Sequence, residues 1–276
     1  RYYNPPETAG RDFAPMMVWL SPDGARVLRR DFWGDHAMTW IYDLHYRLQS
    51  GKAGGVFLGY AGLALLALLL SGLWAWWPRG TWRKSLRFKR RAAPSRRLHD
   101  IHKLAGLAGF PLLALLTLTG VMLALPGESD RVLAVALGKP ATMPAPLSKS
   151  DRGEAIAPSV AIRTALQAIA KGRAAWIEVP GPGQAPYRIR MQQPGDPSAR
   201  FPHSFVWIDQ HDGALLAKLE ADHAPPISVI NNWLHPLHDG SAGGILLRLL
   251  VLVSGLIPLV LAWTGFKRWL VRSKRA

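Results

Sequence analysis

Residues 56–77 read VFLGYAGLALLALLLSGLWAWW, a run of 22 residues without a charged side chain. Two similar runs follow, with 22 uncharged residues at 104–125 and 18 at 249–266. An α-helix needs about 20 apolar residues to cross the hydrocarbon core of a bilayer. The sequence therefore predicts three membrane-spanning helices and excludes a purely soluble protein.

The net charge of +16 is concentrated in two short segments. Residues 79–103 contain ten Lys or Arg and one acidic residue, and residues 245–276 contain six basic residues and none that is acidic, whereas 126–242 are neutral overall. Basic residues that flank apolar spans typically face the cytoplasm. We therefore expect 79–97 and 267–275 to be cytoplasmic, and the segment from about 126 to 232 to be periplasmic. This distribution indicates contact with membrane lipid and argues against nucleic-acid binding.

The chain contains an internal repeat. Residues 18–24 (VWLSPDG) resemble 206–213 (VWIDQHDG), and each stretch predicts a β-hairpin with an Asp-Gly turn. His45 and His238 follow the two hairpins, and each precedes by 27 residues the glycine of a Ser-Gly or Thr-Gly pair within a span. The two histidines are therefore expected at the same height above the membrane. A helical pattern at 155–170, followed by three short strands, predicts a small α+β domain.

The repeat also predicts a segment that precedes Arg1. The second unit has a span before its soluble domain, and the first unit has none in this sequence. We expect an upstream helix, which would give four spans in the intact protein. The alternative is a cleaved signal peptide and a protein of three spans.

Histidines at the ends of the spans are the candidate site residues. Ionisable side chains near a bilayer are costly and often functional. Two pairs are spaced i, i+3 and share a helix face. The five candidates are His45, His99, His102, His235 and His238.

Paired imidazoles at one depth are the ligand set of a bis-histidine haem. His45 and His238 meet this condition on the outer side, whereas the partner of His102 on the inner side would belong to the upstream helix. Two haems are thus expected in the intact protein. Zinc is the alternative metal, but it needs three or four converging ligands. The absence of cysteine excludes thiolate zinc, iron–sulfur clusters and covalently attached haem.

Basic residues near the outer surface have two possible roles. Arg47, Lys52 and Arg248 could pair with haem propionates, or they could extend to lipid phosphates. The remaining histidines are expected on solvated loops, and they are His36, His203, His211 and His223.

Three short motifs occur in one order: WIYDLH at 40–45, DIHKLAG at 100–106 and LHDG at 237–240. With the hairpin at 206–216, they make the chain resemble the PepSY-associated transmembrane family. This family is often described as iron-regulated membrane proteins and includes ferrisiderophore reductases. The resemblance implies b-type haem with His45, His102 and His238 as ligands, and leaves His99 and His235 less secure.

The resemblance also implies a function and a location. Electrons would pass from a cytoplasmic reductant or quinol through two haems to a periplasmic iron(III)–siderophore, in a multi-pass protein of the bacterial inner membrane. The alternatives are a haem conduit for another periplasmic oxidoreductase, or a protein without redox activity that binds a peptidase or transporter.

The predicted organisation is an α-helical transmembrane bundle with small α+β periplasmic domains of the PepSY type. Its predicted segments are 1–37, the end of a first periplasmic domain; 38–78, a periplasmic helix and a span; 79–98, a basic cytoplasmic loop; 99–125, a span; 126–232, a second periplasmic domain; 233–270, a span; and 271–276, a cytoplasmic tail.

Overall fold

A computed structural model describes residues 4–78, 80–149, 153–181 and 183–273. The predicted loop 79–98 and tail 271–276 therefore lie partly outside the described residues. The strands are β1 (Met16–Leu20), β2 (Val27–Phe32), β3 (Arg173–Glu178), β4 (Tyr187–Gln192), β5 (Ser204–Ile208) and β6 (Leu215–Leu219). The helices are α1 (Ala37–Arg47), α2 (Gly51–Trp76), α3 (Trp82–Ser85), α4 (Pro94–Ala124), α5 (Pro126–Leu137), α6 (Pro158–Ala168), α7 (Pro226–His238), α8 (Gly244–Ser254) and α9 (Leu256–Ser273).

The prediction of three spans is confirmed. Within the described residues, three helical segments are long and apolar enough to cross a membrane: α2, α4 and the stretch Ser241–Val271. The third is interrupted at Gly255, between α8 and α9. The interruption follows from Pro258, which has no N–H to donate to the carbonyl of Ser254 and whose ring crowds that carbonyl.

α4 is the central helix of the bundle, since it packs against both α2 and α9. Glycines permit the close approach. A Cβ atom added to Gly62 of α2 would lie 2.6 Å from Val121 Cγ2 of α4, and one added to Gly109 of α4 would lie 2.6 Å from Ile257 Cδ1 of α9. Small residues at helix interfaces are typical of membrane bundles, in which van der Waals packing drives association.

The spans connect two ends of different character. One end, which we call the sheet end, carries α1 and the two antiparallel sheets. The other, which we call the basic end, carries the Arg- and Lys-rich residues 80–93 and the last turn of α9. α2 and α9 run from the sheet end to the basic end, and α4 runs in the opposite direction.

The larger sheet has the strand order β3-β4-β5-β6, antiparallel throughout. α6 packs against one face, and the predicted α+β domain is confirmed. Its core consists of Ala161, Ala165, Ile169, Tyr187, Ile189, Met191, Val206 and Ile208.

The two hairpins match in detail, which supports the internal repeat. In each hairpin the pairing register shifts directly after a tryptophan, between Trp19 and Leu20 in β1 and between Trp207 and Ile208 in β5. Each turns at a glycine with φ of +72°, Gly24 or Gly213. In each, the carboxylate of the preceding Asp accepts a hydrogen bond from the backbone N–H two residues later.

A tight turn joins α1 to α2. Leu48 and Gln49 have φ values of +51° and +55°, a region that non-glycine residues rarely adopt. The Gln49 side chain donates a hydrogen bond to the Trp40 carbonyl at 2.7 Å, which holds the turn against α1. Such backbone strain persists only where neighbouring contacts impose it. The turn therefore fixes the end of α1 relative to the start of α2.

Candidate metal-ligand histidines

The structure brings His45 and His238 together at the sheet end. Their ring centroids are 6.0 Å apart and their ring planes are inclined by 30°. His45 lies in the last turn of α1, and His238 is the last residue of α7, so the two rings come from the two halves of the repeat. Nowhere in the described ranges do three or more His, Cys, Asp or Glu side chains form a cluster that could hold a metal ion.

The position of His45 follows from contacts of its neighbours on α1. Trp33 Nε1 donates a hydrogen bond to Asp43 Oδ2 at 2.8 Å. Arg47 forms an ion pair with Asp12 at 3.2 Å. These contacts fix residues two positions before and two positions after His45, and they leave its imidazole exposed on another face of the helix.

His238 is held more closely than His45. Its Nδ1 lies 3.0 Å from Thr119 Oγ1 of α4. Burial lowers the pKa of His238, and the nearby imidazole of His45 lowers it further. The lowered pKa favours the neutral ring, which is the form that binds a metal.

His102 lies at the other end of the bundle. It is nine residues into α4 if Pro94 is counted as the first, and its Nδ1 lies 2.8 Å from Thr264 Oγ1 of α9. This contact repeats, with different helices, the one between His238 and Thr119. The structure thus places one histidine–threonine pair at each end of the spans.

The two less secure candidates have different surroundings. His235 packs against Phe201, with ring centroids 4.7 Å apart, and burial lowers its pKa. His99 lies one turn before His102, and its Nδ1 is buried without a hydrogen-bond partner among the described residues. An unsatisfied buried nitrogen keeps His99 a candidate ligand at the basic end.

The two candidate arginines are placed differently. Arg47, besides its ion pair with Asp12, lies over the rings of Phe13 and Tyr46. Arg248 is exposed on α8. A role for either one at a propionate or a lipid phosphate stays a prediction.

Among the other four histidines, the expectation of a solvated surface position fits His223, which is exposed. It does not fit His203, because burial and the nearby Arg190 lower the pKa of His203 to about 4. His211 Nδ1 is 3.2 Å from the Glu154 carbonyl. His203 directly precedes β5 and His211 lies in the turn between β5 and β6. Sequence pattern alone does not show the surroundings of these two side chains.

The two threonines that contact the histidines were not predicted from the sequence. A signal was present, because each threonine precedes a glycine within an uncharged span: Thr119-Gly120 and Thr264-Gly265. The pair Thr264-Gly265 was used in the sequence analysis only to measure the 27-residue offset of the repeat. The contact itself depends on how α4 packs against α7 and α9.

Comparison with known proteins gives one family. The model of the PepSY-associated TM region matches residues 3–272, which include both hairpins, the three spans and all five candidate histidines. The comparison with curated proteins gives no match. The match spans nearly the whole chain, and the chain belongs to the PepSY-associated transmembrane family, as a multi-pass membrane protein.

Proposed function

We propose that this protein is a haem b electron-transfer protein of the bacterial inner membrane, and that it reduces iron(III)–siderophore complexes on the periplasmic side. The observation that carries the proposal is the pairing of His45 with His238. Membership of the family and the histidine–threonine pair at the opposite end support it.

The geometry of the pair fits one iron between two imidazoles. A bond from a metal to an imidazole nitrogen is about 2 Å long, and each ring centroid lies about 1 Å behind its nitrogen. Two imidazoles that hold one iron between them would therefore have centroids about 6 Å apart. The separation of 6.0 Å between His45 and His238 agrees with this distance.

His238 is also in the chemical state that a ligand needs. Its pKa is lowered by burial, which favours the neutral ring with a free lone pair. His102, with its own threonine contact, would supply a ligand at the basic end, and His99 is the alternative there. The haem bound by these histidines would supply a one-electron Fe(III)/Fe(II) couple.

The histidines contribute by placing the haem. His45 and His238 would hold one haem at the sheet end, next to the soluble domains. One electron delivered there would convert an iron(III)–siderophore into iron(II), which oxygen-rich chelators bind more weakly. The electron would come from a cytoplasmic reductant or a quinol, which is oxidised at the basic end.

The charge distribution supports the orientation, with the basic end in the cytoplasm. The chain contains no cysteine, so single cysteines can be introduced without background labelling. We expect Ala145→Cys, exposed in the soluble segment at the sheet end, to react with an impermeant maleimide on intact spheroplasts. Ala93→Cys, exposed at the basic end, should react only after lysis. The opposite pattern would reverse the orientation and place iron reduction on the wrong side of the membrane.

The function is tested with protein purified from haem-replete cells. We expect a Soret band and an α-band that sharpens on reduction with dithionite. Under anaerobic conditions, a ferric hydroxamate or ferric catecholate should reoxidise the reduced protein, and ferrozine should capture the iron(II) that is released.

The other outcomes contradict the proposal in distinguishable ways. A colourless protein would exclude haem electron transfer and favour binding of a peptidase or transporter. A red protein that reduces neither chelate would keep haem but exclude siderophore reduction, which favours a conduit to another periplasmic oxidoreductase.

A further inference from the structure

Two Thr-Gly pairs contact the two histidines in the same way. Thr119-Gly120 of α4 meets His238 at the sheet end, and Thr264-Gly265 of α9 meets His102 at the basic end. The distances from Nδ1 to Oγ1 are 3.0 and 2.8 Å. The arrangement therefore occurs twice, on different helices and at opposite ends of the bundle.

The threonine hydroxyls in these contacts are acceptors. Thr119 Oγ1 lies 2.8 Å from the Leu115 carbonyl, and Thr264 Oγ1 lies 2.6 Å from the Val260 carbonyl, each one turn earlier on its own helix. A carbonyl oxygen can only accept, so the single hydroxyl proton points to it. The hydroxyl oxygen is then left to accept a hydrogen bond from the imidazole.

A second acceptor lies beside each threonine. The Leu116 carbonyl lies 3.2 Å from Thr119 Oγ1, and the Leu261 carbonyl lies 3.2 Å from Thr264 Oγ1. Each leucine is three residues before the threonine, so its carbonyl is exposed on the same helix face. A threonine oxygen that accepts at this edge of the ring favours the tautomer with the proton on Nδ1.

A neutral imidazole carries one proton, which decides the nitrogen that can bind a metal. With the proton on Nδ1, the lone pair is on Nε2 in both His238 and His102. A hydrogen bond from the other ring nitrogen is the usual device that fixes the tautomer and orientation of a metal-bound histidine.

Gly120 leaves room for the His238 ring. A Cβ atom added to Gly120 would lie only 3.0 Å from Cε1 of His238, closer than ordinary contact allows. One added to Gly265 would lie 3.7 Å from Cε1 of His102, at van der Waals distance. Each threonine thus supplies an acceptor for Nδ1–H, and Gly120 supplies the space that the His238 ring needs.

We propose that Thr119 and Thr264 are positioning residues that hold His238 and His102 with Nδ1 protonated and Nε2 directed to a metal. The metal is the haem iron of the proposed function, on which this part of the inference rests. The proton position itself is a property of the chain and can be measured without haem.

The first experiment measures the tautomers. The full chain, labelled with ¹⁵N-histidine and purified without haem, is studied by NMR at pH 8, and the signals are assigned with His238→Gln and His102→Gln. We expect protonated Nδ1 and unprotonated Nε2 at both positions. The opposite tautomer, or rapid exchange between the two, would overturn the inference whether or not the protein binds haem.

The second experiment measures haem affinity and the reduction potential. We expect Thr119→Val to weaken the binding of added haemin by about 10- to 100-fold and to raise the reduction potential, because the ligand becomes less basic. Thr119→Ser, which keeps the hydroxyl, should restore both values. Thr117→Val is the matched control on α4, since Thr117 faces Gly62 of α2.

The outcomes separate this inference from the proposed function. If Thr119→Val binds haemin as tightly as the wild type and at the same potential, while His238→Ala does not bind it, the threonine role is wrong and the haem site stands. If the wild type binds no haemin, the proposed function fails. The NMR measurement of the tautomers then decides by itself whether Nδ1 carries the proton.

Discussion

The His238→Ala variant is expected to lose the haem at the sheet end. Removal of one axial imidazole leaves the iron with His45 alone, so the low-spin spectrum of a bis-histidine site should disappear. Haem content per chain and the spectrum of the purified protein measure this. His45→Ala should have the same effect, because the two rings form one site with centroids 6.0 Å apart.

His223→Ala is the matched control, since its side chain is 80% exposed and lies on the same soluble segment. Its spectrum should equal that of the wild type. Gel filtration of each variant distinguishes loss of haem from loss of the folded protein. Full haem content and an unchanged low-spin spectrum in either His45→Ala or His238→Ala would show that the pair is not the ligand set.

Gly54→Ala is expected to displace α1 and to destabilise the protein. A Cβ atom at position 54 would overlap with the backbone carbonyl of Arg47, at the end of α1. Backbone cannot move aside as a side chain can, so the cost should reach the upper part of the range for overpacking, about 2–3 kcal/mol. His45 lies two residues before Arg47, and the haem at the sheet end should therefore weaken in parallel with the fall in thermal stability in detergent.

The adjacent glycine provides the control. A Cβ atom at Gly55 would lie 3.6 Å from the Tyr46 carbonyl, an ordinary contact. Both substitutions gain the same intrinsic helix propensity, so the difference between them isolates the clash. Equal melting temperatures and equal spectra for Gly54→Ala and Gly55→Ala would contradict the close approach of α1 to α2.

The features that sequence analysis predicted depend on local composition and period. Three uncharged runs predicted the spans, because a helix needs about 20 apolar residues to cross the hydrocarbon core. Asp-Gly pairs predicted the hairpins that turn at Gly24 and Gly213, since a turn of this type needs φ > 0. The equal 27-residue offsets predicted that His45 and His238 lie at one height, and the structure places them in contact.

The features that sequence analysis missed depend on tertiary packing. α5 lies at the start of the segment 126–232, where the sequence analysis predicted no helix. The burial of His203 depends on how its loop meets Arg190 and α7. Thr119 and Thr264 became partners of the histidines only when two helices from distant parts of the chain were placed side by side.

α4 carries His102 near one end and Thr119, the partner of His238, near the other. Seventeen residues separate these positions, about 25 Å at the rise of an α-helix. This is most of the roughly 30 Å thickness of the hydrocarbon core. If electrons travel as proposed, each one moves through most of the transmembrane voltage, which is worth about 2 kcal/mol per 100 mV for one charge. If the basic end lies on the negative, cytoplasmic side, as proposed, the resting potential would drive the outward step, and the spacing along one helix would couple iron reduction to the membrane potential.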